Sequence, residues 1–352
     1  MKVIVDAFGG DNAPLEILKG CAEAVAEYGV HIILVGSRQK IETVANENNI
    51  ILYRMEIVDT QDIITMDDDP QDIMKSKSQS SMAEGLRLLR EGKGDAFISA
   101  GNSGALNVGA TLIVKRIKGI KRCAFAPVIP TNKGCFMLID GGANVECRPE
   151  MLQQFGFMGS IYMEKVMKVQ NPKVALVNVG VEEHKGGPFQ IEAFERLKKS
   201  SINFIGNIEA RNIPEGDADV VVTDGFTGNI ILKLYEGVAS FLMNKIKNTF
   251  FKNTKNKVAA LMMFSDIKAL RKELDYNEHG GAPIIGISKP VFKAHGSAVA
   301  KTFKNAIRLT ISYVETHVID EISSAVISKS HEEPLVDADL QGRKKPELKP
   351  RD

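Results

Sequence analysis

Apolar positions along this chain fall into short unbroken blocks of β-branched and aliphatic residues. Each block is followed by a Gly-rich polar turn and then by a stretch with helical spacing. Blocks apolar throughout suit strands buried on both faces, and a strand, turn, helix rhythm is that of parallel strands joined by crossover helices. The blocks predict strands over Val3 to Asp6, His31 to Val35, Asp95 to Ser99, Cys135 to Ile139, Val174 to Val179, Asn203 to Gly206 and Val220 to Thr223. Helical spacing predicts a helix over Ser81 to Glu91, with Ser81 and Glu84 at the spacing of a capping box and Gly92-Lys93-Gly94 as the stop. After residue 230 the strand rhythm fades, and Ile230 to Asn248 and Val299 to Val318 predict helices that pack on the sheet or between subunits.

One catalytic α/β domain is expected over 1–330, with a helical excursion at about 235–275. Residues 331–352 are rich in Pro and charge and cannot offset their ordering entropy by burial, so a disordered tail is expected there. No internal repeat of fixed period is present.

A formal net charge of only +1 over 352 residues gives no long-range field to attract nucleic acid, so acidic partners would have to find local patches. The four cysteines, Cys21, Cys123, Cys135 and Cys147, have no CxxC spacing and read as reduced thiols of a cytoplasmic protein. The N-terminus runs straight into a strand pattern without the apolar core of a signal peptide. No apolar run reaches the ~18 residues a membrane-spanning helix needs, so any membrane contact is expected to be peripheral.

The turns after the strand blocks hold the candidate chemistry, because open parallel sheets bind ligands beyond the carboxyl ends of their strands. Five look alike. They are Asp6-Ala7-Phe8-Gly9-Gly10-Asp11, Ser99-Ala100-Gly101-Asn102-Ser103-Gly104, Asp140-Gly141-Gly142-Ala143-Asn144, Asn178-Val179-Gly180 running to Lys185-Gly186-Gly187, and Thr223-Asp224-Gly225-Phe226-Thr227-Gly228-Asn229. Each joins glycines, which let backbone approach a ligand closely, to small polar side chains. All five are expected along one edge of one sheet, forming a shared cleft. The turns at Asn102 and Asn229 run into helices, whose free N–H groups and dipole favour an anion. Glycine is also common in any strand-to-helix turn, and one turn alone would mean little.

Several chemistries lack their signatures. There is no G-x-x-x-x-G-K-[ST] loop, no G-x-G-x-x-G at the first helix, no H-E-x-x-H or other ligand cluster among the six histidines, and no G-x-S-x-G elbow. No metal and no cofactor are expected, and direct attack by a bound ligand is the simpler scheme.

At the same turns the sequence resembles the PlsX family of phosphate acyltransferases, from Met1 to about Val326. The matching stretches are Asp6 to Asp11 with Pro14, Ser99 to Ala105, Asp140 to Asn144, Asn178 to Gly186, Glu215 to Asp217 with Ala218 to Asn229, Asp275-Tyr276 with Gly280 to Pro283, and His295 to Ser297. The chain departs from the family pattern at Phe8, where Met is usual, at Ser103, where Thr is usual, and at Ala298-Val299, where the family has Ser-Asp. The resemblance implies a Rossmann-like, mostly parallel sheet with flanking helices, similar to the isocitrate and isopropylmalate dehydrogenases and phosphotransacetylase, and a homodimer. It also implies an enzyme that passes a fatty acyl group from acyl carrier protein to inorganic phosphate, with the acyl phosphate serving phospholipid synthesis.

Phosphate attack on a thioester needs the anion held in line and donors for the developing oxyanion. On the resemblance, Ser99, Gly101, Asn102, Ser103 and Gly104 are expected to cradle phosphate, Lys185 to neutralise it and Asn229 to stabilise the carbonyl oxygen. Asp6, Gly9, Gly10, Asp11, Asn144, Asp224 and Gly228 are expected to complete the cleft loops. Lys185 also reads as a surface lysine, Asn229 as a helix cap, and His295 as either a phosphate-orienting or acidic group or a structural histidine.

Acyl carrier proteins are acidic, and the densest basic run is Lys115, Arg116, Lys118, Lys121 and Arg122, which reads either as a docking patch or as a solvated helix end. From Phe250 to Leu274, apolar residues including Leu261, Met262, Met263, Phe264 and Leu270 mix with lysines and arginines. That pattern suits contact with anionic lipid, and a dimer-forming or core helical hairpin explains it as well. An oxidoreductase of the isopropylmalate dehydrogenase type and a non-catalytic acyl-carrier-binding module are the rival readings.

Overall fold

The computed structural model describes residues 1–273 and 281–332, with side chains over 1–269 and 281–326. The polar tail beyond Glu332, and Asp275, Tyr276 and Gly280 of the family-like stretches, lie outside the described residues, and Leu270 of the lipid-contact stretch lies outside those whose side chains are described.

Strands and helices alternate as the apolar blocks predict. The first half contains β1 (Lys2–Asp6), α1 (Leu15–Tyr28), β2 (His31–Gly36), α2 (Arg38–Glu47), β3 (Met55–Asp59), α3 (Ser81–Arg90), β4 (Ala96–Ser99) and α4 (Ser103–Gly109). Next come β5 (Ala124–Phe125), β6 (Val128–Thr131), β7 (Gly134–Ile139), α5 (Pro149–Lys165), β8 (Val174–Asn178), α6 (Pro188–Lys198), β9 (Phe204–Glu209) and β10 (Val220–Val222). The chain continues through α7 (Gly225–Phe251), α8 (Thr254–Met262), α9 (Phe264–Glu273), β11 (Ala282–Ile285), β12 (Val291–Lys293), α10 (Ala300–Glu315) and α11 (Val318–Glu332).

The strands form two sheets, where a single sheet is expected from the sequence. One has the order β3-β2-β1-β4-β12-β11-β5 and the other β6-β7-β10-β8-β9. In the first, β3, β2, β1, β4 and β12 run parallel, and β11 pairs antiparallel with both β12 and β5. In the second, β7, β10, β8 and β9 are parallel and β6 pairs antiparallel to β7. The chain crosses between sheets within two residues, Ala126 and Pro127, so the sheets abut and one buried cluster spans them. That cluster includes Val3, Ile98 and Phe292 from one sheet and Met137, Val174 and Val220 from the other. Apolar blocks say that strands are buried on both faces but not which strands pair, which is why the division was not visible in the sequence.

Three further expectations are corrected. Strands persist after residue 230, since β11 and β12 are short buried runs of four and three residues, too brief to establish a rhythm. The cap of α3 is Ser80, whose side chain accepts from the Ala83 N–H, while Ser81 points inward. The stretch 250–269 is not a core hairpin: Leu261, Met262 and Phe264 are 75%, 81% and 64% exposed. Of the 27 residues of α7, only Gly225 and Gly228 are buried, and Phe226, Ile230, Leu234, Phe241 and Leu242 present an uncovered apolar face. Among the described residues no helix is long and apolar enough to cross a membrane.

Candidate functional site

A cleft of about 300 Å³ opens where the two sheets meet. Ser103, Lys293, His295 and Gly296 line it from the first sheet's side, and Gly141, Gly142 and Asn229 from the second. Phe125, Pro127, Val128 and Ile129 form the crossing between the sheets, and with Leu232 of α7 they add an apolar wall.

The wall on the first sheet's side follows from strand register. Val5 pairs with Ile98 and Lys293 with Ser99, so Asp6, Ser99 and Lys293 end three adjacent parallel strands side by side. Asp6 is buried, and its carboxylate accepts from Ser81 Oγ at 2.6 Å and Ser99 Oγ at 2.7 Å. Ser99 Oγ in turn accepts the Gly101 N–H at 3.0 Å, which fixes the turn entering α4. Gly9 permits this packing, because a Cβ there would stand 2.6 Å from the Gly101 nitrogen. Burial pushes the Asp6 carboxyl above its ordinary range, against the pull of both serines and of Lys293.

Lys293 Nζ donates to the carbonyls of Ala100 at 3.0 Å and Ala294 at 2.5 Å. Burial lowers its pKa to about 8, although Asp6 and Asp11 favour the charged form. The loop after β12 is tied to the first turn: Asp11 N–H donates to the Gly296 carbonyl, and Asn12 Nδ2 donates to those of Ser297 and Ala298. His295 Nδ1 lies 2.9 Å from Ser297 Oγ.

Asp140 organises the opposite wall. Its Oδ1 accepts the N–H groups of Phe125, Gly142 and Ala143 at 2.9–3.0 Å, and its Oδ2 accepts Asn144 N–H at 2.7 Å and Asn144 Nδ2 at 2.8 Å. Burial pushes this carboxyl up, and the hydrogen bonds from Ala143, Asn144 and Gly142 oppose it. Both oxygens act purely as acceptors, as an ionised carboxylate does. Asp224 caps α7 by accepting from the Thr227 N–H and hydroxyl, each at 2.9 Å. Gly228 lies against the Asp140 carbonyl, and Asn229 reaches the cleft beside Gly142, whose φ of +133° suits glycine.

The cleft therefore brings together Ser103, Asn229 and His295 from the residues expected in the sequence, while others stand elsewhere. Of the five residues expected to cradle phosphate, only Ser103 lines it. Ser99 serves Asp6. The Asn102 amide is used by the fold, accepting from the Ala105 N–H and donating to the carbonyls of Thr65, Met66 and Asp68. A Cβ on Gly104 would meet Pro70 at 2.6 Å, so that glycine serves close packing. Lys185 sits outside the cleft on the loop after β8, exposed, with Nζ 3.9 Å from Glu182.

The basic run begins at Lys115, the C-cap of a helical turn over Ala110–Val114, and continues as a loop. Lys115, Arg116, Lys118, Lys121 and Arg122 are exposed around the buried anchors Ile117 and Ile120. Sequence reasoning missed Lys293, Ser81 and the organising part of Asp140. A lysine closing a short apolar block was the available signal for Lys293, but the block is only three residues long. Among the described residues no cluster of three or more His, Cys, Asp or Glu side chains is placed to hold a metal.

Residues 1–321 match the family described as "Fatty acid synthesis protein". The chain is 48% identical over 333 residues to a protein of Alkaliphilus oremlandii named phosphate acyltransferase, covering 95% of this chain and 99% of that one. It is 46% identical to a protein of the same name from Acetivibrio thermocellus, covering 95% and 98%. Among solved structures, a phosphotransacetylase from Streptococcus pyogenes superposes with a TM-score of 0.60 at 16% identity, covering 90% of this chain and 94% of that one. EutD phosphotransacetylase from Staphylococcus aureus gives 0.59 at 16% identity, covering 89% and 94%. At that identity the likeness is one of fold.

Proposed function

This chain belongs to the phosphate acyltransferase family, and on that premise we propose how its cleft moves an acyl group from acyl carrier protein to inorganic phosphate. One observation carries the reading: hydrogen-bond donors from the ends of both sheets converge on a cleft that also has an apolar wall. An anion and an acyl chain need just such a pairing of surfaces.

In the reaction, a phosphate oxygen bonds the thioester carbon, the C–S bond breaks, and the proton carried by hydrogen phosphate ends on the released thiol. Asn229, which reaches the cleft beside Gly142, is the proposed donor to the carbonyl oxygen as it gains charge. Ser103, at the start of α4, is the proposed phosphate ligand, and His295 the group that orients it. Removing one oxyanion donor costs roughly 10²–10³ in turnover in a well-studied hydrolase, and Asn229→Ala is expected to fall in that range. Lys185 is proposed to neutralise phosphate, which needs the loop carrying Gly186 and Gly187 to bring it inward; full activity in a folded Lys185→Ala variant would exclude that.

The decisive assay mixes the protein with palmitoyl-acyl carrier protein, with and without phosphate, and follows thiol release and acyl phosphate. Phosphate-dependent release of both products is expected. Binding of carrier without any release would favour a non-catalytic module instead.

Two surfaces extend the proposal. The exposed basic loop over 115–122 is proposed to dock the acidic carrier, and charge reversal at Arg116 and Lys118 is expected to weaken carrier affinity and its salt dependence. The uncovered faces of α7 and of residues 250–264 are proposed to serve a homodimer and peripheral lipid contact. Vesicle flotation of wild type against Leu261→Asp/Phe264→Asp separates lipid contact from dimerisation, because only lipid contact requires the variant to stay behind.

A further inference from the structure

We propose that Lys293 is a cation that holds inorganic phosphate in this cleft, a role that rests on the phosphate-acyltransfer reading above. The argument begins with register. Lys293 ends β12 directly beside Ser99 of β4, and Asp6 ends β1 beside the same residue, so an acid, a hydroxyl and a cation lie across three neighbouring strand ends. Only the cation lines the cleft, in company with Ser103, Asn229, His295 and Gly296.

Its ammonium is held rather than loose. Of three N–H donors, two are taken by the carbonyls of Ala100 and Ala294, leaving one for a ligand. A lysine fixed by backbone carbonyls loses little rotamer freedom on meeting an anion, unlike the exposed Lys185, which is 41% exposed at its side chain. Burial also makes the charge count for more, since the surroundings screen it less than water does. The carboxylate behind it is occupied: Asp6 accepts from Ser81 of α3 and Ser99 of β4.

The charged and titratable groups around Lys293 are Asp6 from β1, Asp11 from the following loop, His295 on its own loop, and Lys233 and Glu236 of α7, which line the same cleft. Asp6 and Asp11 favour the charged form, while burial opposes it and lowers the pKa to about 8. A phosphate bound to the ammonium therefore loses its partner as pH rises beyond that value. Apparent affinity should then fall by up to roughly tenfold per pH unit.

Phosphate binding can be read without any acyl substrate, from the rise in unfolding midpoint that a ligand specific for the folded state produces. Wild type, Lys293→Arg and Lys293→Gln are titrated with phosphate from pH 7 to 9.5. Wild type is expected to be stabilised at pH 7 and to lose affinity above pH 8. Lys293→Arg keeps its charge through this range and is expected to bind without that loss. Lys293→Gln is expected to bind roughly 10- to 100-fold more weakly at pH 7, the worth of a charge-assisted hydrogen bond, and to show no loss above pH 8 beyond that of Lys293→Arg. If Lys293→Gln does not fold, the pH profiles of wild type and Lys293→Arg still decide, and identical profiles overturn the inference. Equal phosphate affinity in Lys293→Gln and wild type would also overturn it, leaving phosphate acyltransfer intact. Absence of phosphate-dependent stabilisation in wild type, together with no acyl phosphate formed, would instead bring down the underlying reading.

Discussion

Replacing Asp140 with Asn exchanges one oxygen for an NH₂ group and changes little volume, yet it should disable the wall that carries Asn229. The carboxylate accepts three N–H groups on Oδ1 and two on Oδ2, all at 2.7–3.0 Å. An amide offers one acceptor oxygen and one NH₂ donor. In its better orientation it keeps the three bonds to Phe125, Gly142 and Ala143 and turns its NH₂ toward both donors of Asn144. Two bonds to a charged acceptor, each worth roughly 1.5–3 kcal/mol, are lost, so the cost is about 3–6 kcal/mol. At about 2.1 cal/mol/K per residue, the unfolding entropy of the whole chain is roughly 0.7 kcal/mol/K, which converts that cost to a midpoint lowered by roughly 4–8 °C. Thermal unfolding followed by circular dichroism measures it. Acyl phosphate formation, assayed well below the new midpoint, should drop as well, because Gly142 and Asn229 lose their fixed relation. A midpoint within about 1 °C of wild type would refute the claim that this carboxylate organises the turn.

Other changes probe the remaining parts of the site. Gly228→Ala places a methyl group in overlap with the Asp140 carbonyl oxygen; overpacking of this kind costs about 1–3 kcal/mol, and a shift of α7 should lower turnover even where the protein stays folded, as parallel unfolding and kinetic measurements would show. Asn102→Ala removes the cap of α4 and the tether of the 65–68 loop, with an expected loss of about 0.5–2 kcal/mol from the cap alone, readable by urea denaturation. Because the folded-state pKa of Lys293 is depressed to about 8 from 10.5, the unfolded chain binds the extra proton between those values and this group's contribution to stability rises with pH there. The unfolding free energy of wild type minus that of Lys293→Met should therefore increase by up to roughly 3 kcal/mol from pH 8 to 10.5, and a flat difference would show that the lysine is not buried as described.

Local pattern was enough to determine the strands that end at Asp6, Ser99, Ile139 and Asn178, the helices that follow them, and the Gly-rich turns between. Each of these depends on residues close together in the chain: unbroken apolar blocks mark buried strands, and glycine beside Asn, Asp or Ser marks the turn. The motif resemblance at those turns carried the reaction class as well. Pairing between strands depends on residues far apart, and only the tertiary structure decided it. Register across β1, β4 and β12 sets Lys293 beside Ser99 and Asp6, residues separated by roughly two hundred positions or more from the lysine. The same long-range packing turned Asn102 inward as a cap and tether, left Lys185 outside the cleft, and split one expected sheet into two with the cleft between them. A side chain's neighbours across the fold decide whether it serves the scaffold or faces a ligand, and spacing along the chain does not record them.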